Sequence, residues 1–177
     1  MSRLLLALGL LAAFHGSPVK AQTPNFSGTW VLDEAASRLT SDAGLGTLGA
    51  VGTPGRLHIT HAANGDLALQ SEWNTSEARV YRPGGDTIIP VGPDDTLRVS
   101  TDWNDAVLVA EGRRPIAAGG STILGVRRAF SLSDDGGTLT LEATTTTADG
   151  DATSTMVYTR LTTLGSCEEW SEPCSPR

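Results

Sequence analysis

The chain has 177 residues, 13 basic and 20 acidic, for a net charge of −7, and only 5% of residues are aromatic. That length fits one domain with a real hydrophobic core, and the acidic balance argues against nucleic acid or an anionic membrane surface as partner. Gly, Thr and Val are abundant and charged residues make up 19%, a composition that disfavours helix and favours strands and turns.

The first element is a leader. Met1-Ser2-Arg3 carries one positive charge, residues 4–14 form an apolar run, and His15, Gly16, Ser17 and Pro18 break it. The run is too short to cross a bilayer as a helix. Val19-Lys20-Ala21 places small or apolar residues at the −3 and −1 positions of a signal peptidase site, so residues 1–21 read as a cleavable signal peptide. Cleavage after Ala21 removes two basic residues and no acidic one, leaving 156 residues, 11 basic against 20 acidic, with a net charge of −9. The expected location is the periplasm or the extracellular space, and no transmembrane segment is expected after processing.

A first strand is expected within residues 25–33, Asn-Phe-Ser-Gly-Thr-Trp-Val-Leu-Asp. Residues 33–39 are the one helical suspect, with Asp33 as cap, and residues 40–55 read as a glycine-rich loop. Alternation then predicts strands at 56–61 (Leu57, Ile59 and His61 on one face) and at 66–73 (Leu67, Leu69, Ser71 and Trp73 on one face), joined by an Asn64-Gly65 hairpin turn. Shorter strands follow at 78–82 and 87–91. A strand at 96–103 puts Leu97, Val99, Thr101 and Trp103 on one face, and 106–111 returns from it. Residues 113–120 read as a loop. A long strand at 122–132 points Leu124, Val126, Phe130 and Leu132 inward; strands at 138–147 and 152–161 complete the chain. About nine or ten strands at hairpin spacing give an all-β fold, an antiparallel up-and-down barrel spanning residues 22–163. A closed barrel leaves no exposed edge. An outer-membrane barrel fits poorly, because alternate faces carry Arg, Gln, Glu, Thr and Ser.

Gly28-x-Trp30 on the first strand resembles the signature of lipocalin-like, or calycin, barrels. The block through Ser37-Arg38 is similar to the start of small exported bacterial proteins of unassigned function. So are Trp103-Asn104-Asp105-Ala106-Val107-Leu108, the Leu132-Ser-Asp-Asp-Gly136 hairpin and the closing Val157-Tyr158-Thr159-Arg160. This resemblance implies a lipocalin-like barrel of about eight to ten strands. In it Gly28, Trp30 and Arg160 are structural, with Trp30 plugging the closed end, Arg160 packing over the indole, and residues 40–55 lying over the open end. Fold alone assigns no function.

Among residues able to carry chemistry, His58 and His61 point to opposite faces of one strand and do not share a metal easily. Trp73 and Trp103 end their strands in matching Glu-Trp-Asn and Asp-Trp-Asn contexts; they serve either as aromatic walls of a barrel mouth or as core packing. The acidic residues lie mostly in turns, where Asp satisfies local backbone groups. There is no nucleophile elbow, phosphate loop, dinucleotide fingerprint, zinc signature or full calcium loop, so no catalytic residue, metal or cofactor is assigned. Cys167 and Cys174 close a short tail, residues 164–177, and are expected to form a disulfide in an oxidising compartment.

The reading is an exported, non-catalytic binding protein for a small apolar molecule. Its candidate ligand-binding residues are Leu57, Ile59, His61, Leu69, Trp73, Val99 and Trp103. One alternative is an interaction protein with a filled core. Another is an enzyme in which His61 meets Glu72 or Asp102.

Overall fold

The computed structural model describes residues 23–40, 53–72, 74–92, 95–114 and 123–162. Residues 1–21, read from sequence as a signal peptide, most of residues 40–55, read as a loop, Trp73, residues 115–122 and residues 164–177 with Cys167 and Cys174 lie outside the described residues. The described part is all-β, without a helix. Ten strands run up and down: β1 (Gly28–Leu32), β2 (Arg56–His61), β3 (Leu67–Ser71), β4 (Asn74–Tyr81), β5 (Gly85–Gly92), β6 (Asp95–Asn104), β7 (Val107–Arg113), β8 (Ile123–Leu132), β9 (Thr138–Thr147) and β10 (Gly150–Arg160).

The strands form one antiparallel sheet in the order β4-β3-β2-β1-β10-β9-β8-β7-β6-β5. Strand β1 meets the last strand through Trp30↔Arg160 and Leu32↔Tyr158, so the sheet curls into a nearly closed barrel. The expected full closure stops at β4 and β5, which share a turn but no backbone ladder. The turn explains this: Gly84 donates its N–H to the Thr101 carbonyl at 2.8 Å, which ties the start of β5 to β6. Across the seam the Thr87 hydroxyl donates to the Val80 carbonyl at 2.7 Å.

Several boundaries depart from the sequence reading. The strand expected at 66–73 ends at Ser71, and its partner starts at Asn74 instead of residue 78. The polar run Asn74-Thr-Ser-Glu hides any alternation there. No helix forms at 33–39. Asp33 caps one turn, accepting from the Ala36 N–H at 3.0 Å. Arg38 is then drawn to β10 by paired backbone bonds with Thr155, both 2.8 Å.

Alternation sends one side chain in two inward, and the cross-strand register aligns these into rows. Trp103, Leu108, Phe130, Leu141 and Met156 form one row. Thr101, Ala110, Arg128, Ala143 and Ser154 form the next. The buried apolar residues of both walls make one contiguous cluster. Among the described residues the exposed large hydrophobics are Leu39 and Ile88.

The barrel has two distinct ends. One carries the turns at 63–64, 105–106 and 134–135. Here the Arg160 guanidinium lies 4.3 Å from the Trp30 ring centroid and donates to the carbonyls of Gly136 (2.9 Å), Ser27 and Asn25 (3.3 Å). The Trp30 indole N–H donates to the Phe26 carbonyl at 3.0 Å. Gly28 is required twice over: its φ is +148°, and a Cβ there would sit 2.8 Å from Arg160 Nη1. The opposite end carries the 148–149 turn and the entry to β2. At this end the Tyr158 hydroxyl donates to the Pro54 carbonyl at 3.1 Å, and the Gly55 N–H donates to Glu72 Oε1 at 2.8 Å. Burial first, and the Glu72 carboxylate second, push the Tyr158 hydroxyl pKa up.

Candidate functional site

The inward row through Arg128 differs from its neighbours. Arg128 is 1% exposed, in a position where every other strand residue of its row is small or hydroxylic. Ala110 and Ala143 flank it on β7 and β9, and their short side chains leave the guanidinium room to cross the interior. It reaches β4, where Nη1 donates to the Tyr81 hydroxyl at 2.6 Å. Tyr81 is fully buried and its ring tilts against Phe130, centroids 5.3 Å apart.

Burial pushes the Arg128 pKa down from the ordinary arginine value; the Tyr81 hydroxyl opposes that, and the positive charge of Arg79 adds to it. An arginine keeps its charge through such a shift, so the barrel encloses a cation. Hydroxyls share the interior with it. Thr101 and Thr145 are buried, and neither Oγ1 has a hydrogen-bond partner among the described residues. Ser154, also buried, accepts from the Thr40 N–H at 2.9 Å. The interior thus holds a guanidinium and several buried hydroxyls among apolar side chains, and buried polar groups of this kind call for partners. Among the described residues no three His, Cys, Asp or Glu side chains gather to hold a metal.

The residues singled out from sequence separate into two groups. Leu57, Ile59, Leu69 and Val99 are buried in the central cluster. His61 and Trp103 stand at the Trp30–Arg160 end, where both stack near Phe26: Phe26–Trp103 centroids are 5.9 Å apart, His61–Trp103 6.1 Å. Burial lowers the His61 pKa, and a hydrogen bond involving the Pro24 backbone opposes the shift. Trp73 lies outside the described residues. His58 faces outward, within 3.2 Å of the Thr29 hydroxyl. His61 does not meet a carboxylate. Glu72 is at the far end beside Gly55, and Asp102 is exposed on the outer wall. Arg128 was not among the residues read from sequence. Its signal was its parity, since it falls between Val126 and Phe130 on the inward face of β8.

No protein-family model matches the chain, and no curated protein matches it significantly. Solved structures do. The fatty acid transporter REP1-NXSQ superimposes with a TM-score of 0.52 at 13% identity, covering 78% of this chain and 97% of the transporter. A point mutant of that transporter gives 0.51 at 13% identity, covering 76% and 97%. Zebrafish ileal bile acid-binding protein, complexed with cholic acid, gives 0.49 at 12% identity, covering 77% and 98%. The likeness to the transporter is one of fold.

Proposed function

We propose that the protein binds a small, mostly apolar molecule with one acidic group inside the barrel, and that it works outside the cytoplasm after losing residues 1–21. The observation that carries this reading is the buried Arg128–Tyr81 pair. Enclosing a guanidinium costs several kcal/mol, and a well-packed apolar residue would stabilise the barrel as well or better. A ligand acid placed against Arg128 would add a charge-assisted hydrogen bond in a dry interior and leave the apolar tail in the surrounding cluster. Burial of the tail contributes about 25 cal/mol per Å². The fold shared with a fatty acid transporter supports the same reading.

The test is native mass spectrometry and calorimetry on protein purified without detergent, using fatty acids and the corresponding alcohols. The expected result is a one-to-one adduct in which the acid binds about tenfold or more tightly than its alcohol, as a charge-assisted hydrogen bond provides. Arg128→Met should erase that preference. Absence of an adduct, or equal affinity for acid and alcohol, would overturn the reading. It would favour the rival, an interaction protein with a filled core, for which the wall-to-wall continuity of the apolar cluster speaks. N-terminal sequencing of the form released from an exporting host should begin at Gln22; an intact Met1 would exclude export by this route.

A further inference from the structure

The outer wall holds a second concavity, unconnected with the Arg128 row. A groove of about 710 Å³ crosses β6 to β10, inside the size range of ligand sites. It adjoins a recess of about 270 Å³ that shares Ser100, Glu111 and Arg127 with it. The depression follows from the sequence. Gly125 stands at an outward position of β8, and a Cβ there would meet Arg113 Cγ at 3.0 Å. The missing side chain at 125 lets the Arg113 stem, which lines the groove, lie close against β8.

The lining is an array of donors and acceptors of both signs. Glu111 and Asp151 supply carboxylates and Arg113 and Arg127 guanidinium groups, so these four charges cancel. Arg127 Nε and Glu111 Oε2 are 3.8 Å apart on exposed side chains, a loose pair that retains capacity for a ligand. The hydroxyls of Thr144 and Thr153 bond each other at 2.8 Å across β9 and β10. The recess adds the outward residues Asp102 and Asn104.

From this geometry we infer a second binding site, for a neutral saccharide chain. The charge balance disfavours a polyanion or polycation. Alternating carboxylates, guanidinium groups and hydroxyls match the mixed donor and acceptor pattern of sugar hydroxyls, with charge-assisted bonds the stronger ones. Five strands at ~4.8 Å spacing make the groove about 19 Å long, enough for several rings. The site is independent of the barrel interior and stands whether or not the interior takes a ligand.

The experiment is an amide NMR titration of the full chain with malto-, cello- and chito-oligosaccharides, repeated with fatty acid present. A tripeptide serves as control. The expected result is a set of shifts confined to β6–β10 around Glu111, Arg127 and Thr153, the same with and without fatty acid. The double variant Glu111→Gln, Arg127→Gln should weaken binding about tenfold or more, the scale of one lost charge-assisted bond. Thr153→Trp, an outward strand position that accepts an aromatic, should fill the groove and abolish the shifts. Neither variant should move the unfolding midpoint. No shift at about 10 mM sugar, far weaker than a working site requires, would overturn the proposal. So would shifts that survive Thr153→Trp, or shifts given by the tripeptide alone.

Discussion

Arg128 occupies a position that alternation reserves for an apolar side chain, between Val126 and Phe130 on β8. Reading that strand for its hydrophobic residues passes over it, because a charged residue is ordinarily assigned to solvent. Only the register shows it facing Ala110 and Ala143 and reaching Tyr81. The apolar positions Leu57, Ile59, Leu69 and Val99 were legible for the opposite reason: they obey the period-two rule. Two consequences follow for single substitutions. Arg128→Met should fold and should unfold at the same or a higher urea concentration than the parent, because replacing a buried charge by an apolar group is often neutral or stabilising. A midpoint well below the parent would mean that the guanidinium holds the barrel together. Tyr81→Phe removes an acceptor from a buried cation and should cost ~1.5–3 kcal/mol in chemical unfolding. Of the two, only the tyrosine variant should be the less stable.

Strands β6 and β7 show how an element is shaped by one residue. A Cβ on Gly112 would lie 2.1 Å from the Arg98 carbonyl oxygen and 3.1 Å from the Val99 Cα. The backbone of β6 therefore folds across β7 just beyond the last registered pair, Ser100↔Glu111. Backbone cannot move aside as a side-chain tip does, so Gly112→Ala should destabilise by about 3 kcal/mol or more, at or beyond the upper range for overpacking. Gly65→Ala, with nothing within 4 Å of its Cβ, supplies the control for backbone conformation alone. A loss below about 1 kcal/mol at Gly112, the scale of a Gly-to-Ala backbone effect, would show that crowding there is irrelevant. Strand identities were legible from alternation and turn residues. The β4–β5 seam was not, since it depends on where Gly84 finds its acceptor, Thr101, which no local pattern encodes.

At the scale of the molecule the ten-strand, up-and-down order was readable from hairpin spacing, and the Gly28-x-Trp30 motif placed the Arg160 clasp. The division of aromatic residues between the two ends was not readable, because it depends on the direction in which each strand runs. One such cluster makes the protein sensitive to acid. His61, packed with Phe26 and Trp103, is held below the ordinary histidine value of 6.5. Its contribution is complete above that value and is lost as pH falls toward its folded pKa, where the unfolded chain binds a proton that the native state refuses. Urea midpoints should fall between about pH 7 and pH 5 by more in the parent than in His61→Phe; parallel curves would assign the acid sensitivity elsewhere. The pairing of Trp30 with Arg160 has a kinetic meaning as well. Those partners are 130 positions apart, so the chain cannot close its barrel until its last strand has been made. Contacts of such long range form slowly, and a growing chain that ends before β10 leaves β1 with β2 and β9 with β8 as their only sheet neighbours. Every truncation that removes β10 therefore leaves the barrel open between β1 and β9.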